Sequence, residues 1–444
     1  MHITIFDYLL LPVYLYIFYV IVRKQAVKYA DSELRKFYIT AFALHMTGSI
    51  LYSLVIQYYY GYGDAFTFYV GGNFILEQIQ NDYSNISLFF ASPDELQKLY
   101  TFQVGPVGGV NGYIGISSAV AVMKLSALLS ILTFNKFLIT SLLLGFFAFA
   151  GHWKLFMVFN NINQKRNQKL LAWTVLYTPS IWFWGSGLIK ESICMGALGI
   201  ITSILYNLFI KKNRSLKNMI LLAGMIYLVW IIKSYILIIL AIGLSTFIFF
   251  NFIARVKIFL VKAFIILVLF FITIAVAFIS NFGEQLQILA QESKAQVDSY
   301  QRNYEATQEE TQSSKGGLSG DEVEASISGI ILRSPFAIFT CLFRPFLWES
   351  RKIFIFLSAL ESTFLLLITL YLVFKRNFFG FFAELFNNPY IFASFVISVL
   401  FALIIGFTTY NFGTMARYRI IFLPFYFFML VRIYSSVMDK KNNI

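Results

Sequence analysis

The sequence predicts an all-α, polytopic transmembrane protein with about 11 to 13 spans, extracytoplasmic loops and interfacial helices. Of its 444 residues, 59% are hydrophobic and 13% are charged, whereas about a quarter of an average soluble domain is charged. The mean hydropathy is +0.72. Long apolar runs recur along the whole chain, and many approach the length that crosses a hydrocarbon layer of about 30 Å. We therefore expect a single transmembrane domain over residues 1–444, with the lipid bilayer as its main partner.

The apolar runs define the candidate spans, which in chain order are 4–22, 37–55, 113–134, 137–159, 170–183, 193–210, 219–232, 235–253, 258–279, 353–374, 390–407 and 420–431. The first run lacks a basic leader and a small-residue cleavage site, so a retained span is favoured over a signal peptide. The run 330–347 is interrupted by Pro335 and Pro345, which favours a membrane-edge or re-entrant helix.

The positive charges are concentrated between the apolar runs. The formal net charge is +13, and Lys and Arg cluster in the segments 23–36, 165–169, 211–217 and 440–441. Basic clusters that flank spans are typical of cytoplasmic loops. This placement accounts for the charge without a nucleic-acid partner.

Two polar segments are too long to be turns, namely 61–112 and the acidic segment 281–328. Counting crossings from the basic segments places both on the non-cytoplasmic side, with Lys233 and the turns 184–191 and 410–419. One count fails, because three apolar runs lie between the basic segments that end at Lys36 and begin at Lys165. An even number is required, so one run must be interfacial, re-entrant or paired with a missed crossing.

The first motif that could carry chemistry is YGYGDAFTFYVGG at 60–72. Asp64 follows a flexible Gly-Tyr-Gly hinge and is expected to start a helix, where amide dipoles favour a carboxylate. The alternative is that Asp64 serves only as a helix cap.

The second motif is PSIWFWGSGLIKES at 179–192, a turn between two short apolar runs. Its tryptophans and glycines are compatible with an interfacial turn. Lys190 and Glu191, however, enter the next apolar helix, where charge is costly. They are either a charge pair that fixes the turn or part of a ligand site.

The third and fourth motifs are LFRPFLWESR at 342–351 and GTMARYRIIFLP at 413–424. Both place arginines on the side where the positive-inside rule depletes them. Their partner is either a headgroup phosphate or the phosphate of a lipid-linked sugar, since the guanidinium group binds phosphate oxygens in a bidentate manner.

Other intramembrane polar residues are less informative. His45, Lys124, His152, Lys154 and Glu361 lie in apolar runs, and each is a functional hypothesis by default. Cys194 and Cys341 are expected to be buried small hydrophobes. The sequence contains no P-loop, HExxH or EF-hand spacing.

Taken in order, these motifs resemble bacterial membrane glycosyltransferases of superfamily C, which use polyprenyl-phosphate sugars, and related surface-polysaccharide biosynthesis proteins. The resemblance rests on Gly63-Asp64 followed by Tyr69, on segment 179–191, and on Arg417-Tyr-Arg419 before Pro424. Ala65 stands where many members carry a second acidic residue. No metal requirement is therefore predicted, and the cofactor is unknown.

The resemblance implies an inverting transfer on the periplasmic face of a bacterial inner membrane, from a polyprenyl-phosphate-linked sugar donor to a glycan or lipid acceptor. Asp64 would be the catalytic base, contributing about 10² to 10⁴ in rate. Lys190, Arg417 and Arg419 would hold the donor phosphate. The expected substrate-binding set is Tyr69, Lys190, Glu191, Lys233, Arg344, Glu349, Arg417 and Arg419.

Two alternatives are kept. A polysaccharide polymerase or ligase would use a diphosphate-linked donor and would also rely on arginines at the non-cytoplasmic face. A lipid or polysaccharide transporter predicts a charged path through the bilayer and pseudo-symmetric halves. No internal repeat is evident in the sequence, and the clustering of the acid and the cations at one face favours transfer.

Overall fold

The computed structural model of the protein describes residues 2–29, 31–104, 110–255, 327–350, 352–409 and 412–442. Every regular element in these residues is a helix, which confirms the all-α class. Among the described residues, seven helices are long and apolar enough to cross a membrane, or up to eight if a bent pair near the C-terminus is one span. These helices identify an integral membrane protein.

The described residues do not reach the predicted 11 to 13 spans. Apolar run 170–183 forms two short helices, and run 113–134 ends in a helix of 16 residues. Runs 219–232 and 235–253 join in one interrupted helix. The predicted span 258–279 and nearly all of the acidic segment 281–328 lie outside the described residues.

By its internal contacts the chain divides into two compact units, Met1–Leu237 and Ile238–Ile444. Nothing in the sequence patterns indicated this division. The helices of the first unit are α1 Ile5–Ala26, α2 Ser32–Leu54, α3 Asp64–Asn81, α4 Pro93–Val104, α5 Asn111–Ile114, α6 Ser117–Leu132, α7 Phe137–Ile162, α8 Gln168–Val175, α9 Pro179–Trp184, α10 Lys190–Phe209 and the first part of α11 Leu216–Arg255. A π-helical turn, Val55–Tyr60, extends α2.

Polar contacts bring the start of α1, the end of α2 and the start of α7 together at one end of the first unit. The backbone N–H groups of His2 and Ile3 donate to Gln57 Oε1 at 2.9 and 3.2 Å. The N–H of Leu138 donates to Asp7 Oδ1 at 3.0 Å, which caps the first turn of α7. Since α3 begins beside this point, we call it the Asp64 end.

The opposite end of the first unit carries its basic segments. α7 and α10 run in the same direction, because Gly196 lies near Ala148 and Gly199 lies near Gly151. The chain therefore reaches 23–36, 165–169 and 211–217 at one common end, which we call the basic end. This is the arrangement that the positive-inside rule requires.

The run 113–134 ends in α6, which is shorter than the helices that are long enough to cross a membrane. α6 has 16 residues, about 24 Å of helix, and it packs mainly along α3. The Tyr69 hydroxyl of α3 donates to the Asn135 carbonyl beside the start of α7 at 2.8 Å. α2 and α7 are each long and apolar enough to cross a membrane, and the chain between them, which contains α3 and α6, starts and ends at the Asp64 end.

Close backbone contact holds α7 against α10. A Cβ atom on Gly151 would lie 1.9 Å from the Gly196 carbonyl oxygen, and one on Gly199 would lie 2.0 Å from the Gly151 carbonyl oxygen. Small residues at such positions allow helix axes to approach closely, which is how dispersion contacts hold helices together in lipid.

The second unit contains the rest of α11 and six further helices: α12 Ile327–Phe343, α13 Ile353–Arg376, α14 Phe378–Asn387, α15 Pro389–Thr408, α16 Phe412–Arg419 and α17 Leu423–Asn442. Pro335 lies inside α12, so the predicted interruption is confined to Pro345. α16 and α17 form the bent pair, with an angle of 64°. Asn388 caps α15 by accepting the N–H groups of Tyr390 and Ile391.

Candidate functional site

Asp64 is the first residue of α3, which confirms that it starts a helix. The chain reverses from α2 into α3 through Gly61 and Gly63, whose φ angles of +72° and +145° are accessible to glycine and strained for other residues. Gly63, not Asp64, occupies the cap position. The carboxylate therefore lies in the first turn, at the positive end of the helix dipole, and is half-buried.

Tyr113 of α5 orients the Asp64 carboxylate. Its hydroxyl donates to Asp64 Oδ1 at 2.9 Å. The Tyr113 ring also meets the Phe68 ring edge-on, with 6.3 Å between centroids. Phe68 lies one helical turn after Asp64, so the two contacts together fix Tyr113 against the start of α3.

Lys190 approaches the same aromatic pair. Its ammonium nitrogen lies 5.7 Å from the centroid of the Phe68 ring and donates to Ser118 Oγ at 2.8 Å. A cation over an aromatic face is stabilised by the ring quadrupole. The structure thus brings two sequence-predicted residues, Asp64 and Lys190, to neighbouring aromatic side chains.

We call Asp64, Phe68, Tyr113, Ser118 and Lys190 the Asp64–Lys190 cluster. No sequence pattern predicted Phe68, Tyr113 and Ser118, because single aromatic and hydroxyl residues in an apolar chain have no distinctive spacing. The one available signal was the position of Tyr113 between Gly112 and Gly115, where a bulky side chain stands in a glycine-rich stretch.

Glu191 and Lys233 form a buried ion pair, with 2.6 Å between Lys233 Nζ and Glu191 Oε1. Their side chains are 1% and 9% exposed, respectively. α10 runs about 27 Å from Glu191 to the basic end, and α11 returns about 26 Å from there to Lys233. Because the two lengths match, Glu191 and Lys233 lie at the same distance from the basic end. Lys233 has non-helical backbone angles, φ −150° and ψ 79°, and therefore marks the break within α11.

The turn that leads to Lys190 is buried inside the helix bundle, whereas the sequence was compatible with an interfacial turn. Residues 185–189 are all buried. A Cβ atom on Gly48 of α2 would lie 2.1 Å from the Trp182 carbonyl oxygen, and one on Gly187 would lie 2.2 Å from the Tyr52 ring. The glycines of this motif therefore permit close packing against α2.

Tyr69 supports the fold rather than facing the Asp64–Lys190 cluster. Its side chain is 6% exposed, its hydroxyl donates to the Asn135 carbonyl, and its ring packs edge-on against Phe137. Burial raises the pKa of the Tyr69 phenol above its ordinary value. These contacts leave its hydroxyl engaged by the protein itself.

In the second unit, Arg344 and Glu349 pair with each other. Arg344 Nε donates to Glu349 Oε2 at 3.1 Å, and Arg344 Nη2 donates to Glu349 Oε1. The guanidinium group also lies 5.4 Å from the Phe412 ring centroid. This two-point contact is the geometry that was expected for a phosphate, and here a carboxylate of the same chain occupies it.

Arg417 and Arg419 lie on a helix, α16, so they point in different directions. Arg419 is 1% exposed, and its guanidinium donates to Ser358 Oγ at 3.0 Å and Ser362 Oγ at 2.8 Å. It also donates to three carbonyls at the end of α12, those of Cys341, Leu342 and Arg344. Arg417 is half-buried, with its guanidinium carbon 5.3 Å from the Tyr418 ring centroid.

Comparison of the chain with protein-family models, with curated proteins and with solved structures found no match. Among the described residues, no group of three or more His, Cys, Asp and Glu side chains is arranged to hold a metal ion. The fold and the site define a helical integral membrane protein with an acid and a cation gathered at one end of its first unit.

Proposed function

We propose that the protein is a membrane glycosyltransferase that moves a sugar from a polyprenyl-phosphate donor to an extracytoplasmic glycan or lipid acceptor in surface polysaccharide or glycolipid biosynthesis. The observation that carries this proposal is the Asp64–Lys190 cluster. It places a half-buried carboxylate and an ammonium group on neighbouring aromatic side chains, at the end of the bundle opposite the basic segments.

In the proposed reaction, Asp64 accepts the proton of an acceptor hydroxyl while the hydroxyl oxygen attacks the anomeric carbon of the donor sugar. The bond between that carbon and the lipid phosphate breaks, and the phosphate leaves with the electron pair. Lys190 stabilises the negative charge that develops on the phosphate. Tyr113 keeps the carboxylate oriented through its hydrogen bond to Oδ1.

The charge pairing supports a donor with one phosphate group. Glu191 neutralises Lys233, Glu349 neutralises Arg344, and Arg419 is occupied by carbonyl and hydroxyl oxygens. A diphosphate carries more charge and is commonly held by several cations or by a bound metal ion. The polymerase or ligase alternative, which rests on the arginines, is accordingly less favoured.

The test is a transfer assay with purified protein in liposomes, radiolabelled polyprenyl-phosphate hexoses and the glycolipid fraction of the expressing cells. Asp64→Asn should lower the transfer rate by about 10² to 10⁴, because it removes the base and keeps the shape of the side chain. Asp64→Glu should retain little activity. Asp94→Asn, which changes an exposed acid on α4, is the matched control and should transfer normally.

Near-normal transfer by Asp64→Asn would show that Asp64 only stabilises the start of α3. Lys190→Met should raise the donor concentration needed for half-maximal rate and lower the maximal rate, since it removes the charge that faces the leaving phosphate. If Lys190→Met changes neither the half-maximal donor concentration nor the maximal rate, Lys190 does not bind the donor phosphate.

A further inference from the structure

The interface between α2 and α7 is polar in the half nearer the Asp64 end. On α2, His45, Ser49 and Ser53 recur every four residues and so lie on one face. The two helices are antiparallel, and a Cβ atom on Gly145 of α7 would lie 1.9 Å from Ser49 Oγ. Ser186, from the turn before α10, joins the buried polar residues of this interface. We call the whole set the α2–α7 seam: His45, Ser49, Ser53, Ser141, His152 and Ser186.

Hydrogen bonds connect the middle of the seam. His45 Nδ1 lies 2.7 Å from Ser186 Oγ, and His45 Nε2 lies 3.3 Å from His152 Nδ1. Ser49 Oγ donates to the Ser186 carbonyl at 2.6 Å. All four side chains are fully buried. Two imidazoles and a hydroxyl thus form one continuous chain within the bundle.

The hydrogen-bonded chain formed by Ser186, His45 and His152 can hold its protons in two arrangements. If the Ser186 hydroxyl donates to His45 Nδ1, then His45 Nε2–H donates to His152 Nδ1, and His152 carries its proton on Nε2. If His45 Nδ1–H donates to Ser186, then His152 Nδ1–H donates to His45, and His152 Nε2 is a bare acceptor. Conversion of one arrangement into the other moves one proton along the whole chain.

Three polar atoms of the seam lack a protein partner. His152 Nε2, Ser53 Oγ and Ser141 Oγ are buried and make no hydrogen bond within the described part of the polypeptide. Leaving a buried polar atom unsatisfied costs about 1 to 3 kcal/mol. Ordered water is the usual partner of such atoms in protein interiors.

The other half of the interface is aromatic. From the level of His45 towards the basic end, the rings pair as Phe42 with Phe149 at 5.7 Å, Tyr38 with Trp153 at 4.8 Å and Phe37 with Phe156 at 6.4 Å between centroids. This layer offers few polar atoms to water. The polar residues of the interface therefore lie towards the Asp64 end, and the aromatic pairs lie towards the basic end.

We propose that the α2–α7 seam is a proton half-channel, hydrated from the Asp64 end as far as His152 and closed towards the basic end by the aromatic pairs. A hydronium ion gives a proton to Ser186 Oγ as the hydroxyl proton passes to His45 Nδ1. The Nε2 proton of His45 passes to His152 Nδ1, and the Nε2 proton of His152 passes to a bound water, which becomes hydronium.

The chain contains three histidines, so selective ¹⁵N-histidine labelling yields a spectrum with only His2, His45 and His152. Solid-state NMR of the full-length protein in bilayers should show magnetisation transfer from water to the imidazoles of His45 and His152, with both tautomers present. Variants His45→Gln and His152→Gln assign the signals. Imidazole signals that receive no transfer from water would overturn the proposal.

A pair of double variants tests the path. Ser53→Val with Ser141→Val should slow deuterium exchange at the His152 imidazole by about tenfold or more. The reason is that methyl groups replace the two hydroxyls at the Asp64 end of the seam, which is the entrance of the proposed half-channel. The control, Ser126→Val with Ser130→Val, changes two buried serines on α6 and should leave the rate unchanged. Equal rates in the two double variants would exclude this entrance.

The magnetisation transfer from water to the imidazoles is measured on the wild-type protein, so it tests the half-channel even if a variant fails to fold. No sugar donor is used, so the result is separate from that of the transferase assay. A hydrated seam in a protein without transfer activity would favour the transporter alternative.

Discussion

The Glu191–Lys233 ion pair gives a quantitative test of the first unit. Removal of one partner leaves the other as a buried, unpaired charge, whereas removal of both leaves none. We predict that Lys233→Met and Glu191→Gln each destabilise the protein strongly, and that the double variant is much less affected than the sum of the two.

The magnitude follows from the geometry. At 2.6 Å and an effective dielectric constant of about 20, the attraction between the two charges is about 6 kcal/mol, part of which offsets their desolvation. Breaking a buried pair of this kind costs about 3 to 5 kcal/mol. At about 2 to 4 °C per kcal/mol for a unit of this size, each single variant should lower Tm by roughly 10 °C.

The assay is thermal unfolding in one detergent, followed by the fraction of protein that remains monodisperse in size-exclusion chromatography. Lys98→Met, which removes an exposed lysine on α4, is the control and should leave Tm unchanged within error. If the single-variant shifts simply add up to the double-variant shift, the two charges are not coupled and the proposed role of the pair is wrong.

Three further predictions use the same stability assay. Arg419→Ala should cost about 3 kcal/mol or more because it leaves several buried acceptors unsatisfied, and unchanged stability would contradict the assignment. Gly151→Leu should prevent the close contact of α7 with α10 and abolish the monodisperse peak, while Gly224→Leu, with no atom within 4 Å of its Cβ position, should be tolerated. Tyr69→Phe should lower stability by about 1 kcal/mol and leave transfer activity intact, and a selective loss of activity would return Tyr69 to the substrate site.

The arginine motifs show why charge placement alone was not sufficient to assign ligands. The sequence identified Arg344, Arg417 and Arg419 as charges that need an anionic partner. The structure supplies Glu349 for Arg344 and a set of backbone carbonyls for Arg419. Glu349 lies in the same short motif as Arg344, whereas the carbonyls that accept from Arg419 lie at the end of α12, more than 70 residues earlier in the chain, where no spacing in the sequence reveals them.

The sequence by itself determined the solvent and the helical class of this protein, because hydropathy and charge clusters act over one helix length and need no knowledge of neighbours. It also determined that Asp64 begins a helix, since the flanking glycines act locally. The tertiary structure alone decided that run 113–134 packs with α3, that the turn before Lys190 is buried, and that His45 meets His152. Those facts depend on which helix faces pack together, and in a chain that is apolar on nearly all sides the sequence pattern does not distinguish a lipid-facing side from a protein-facing one.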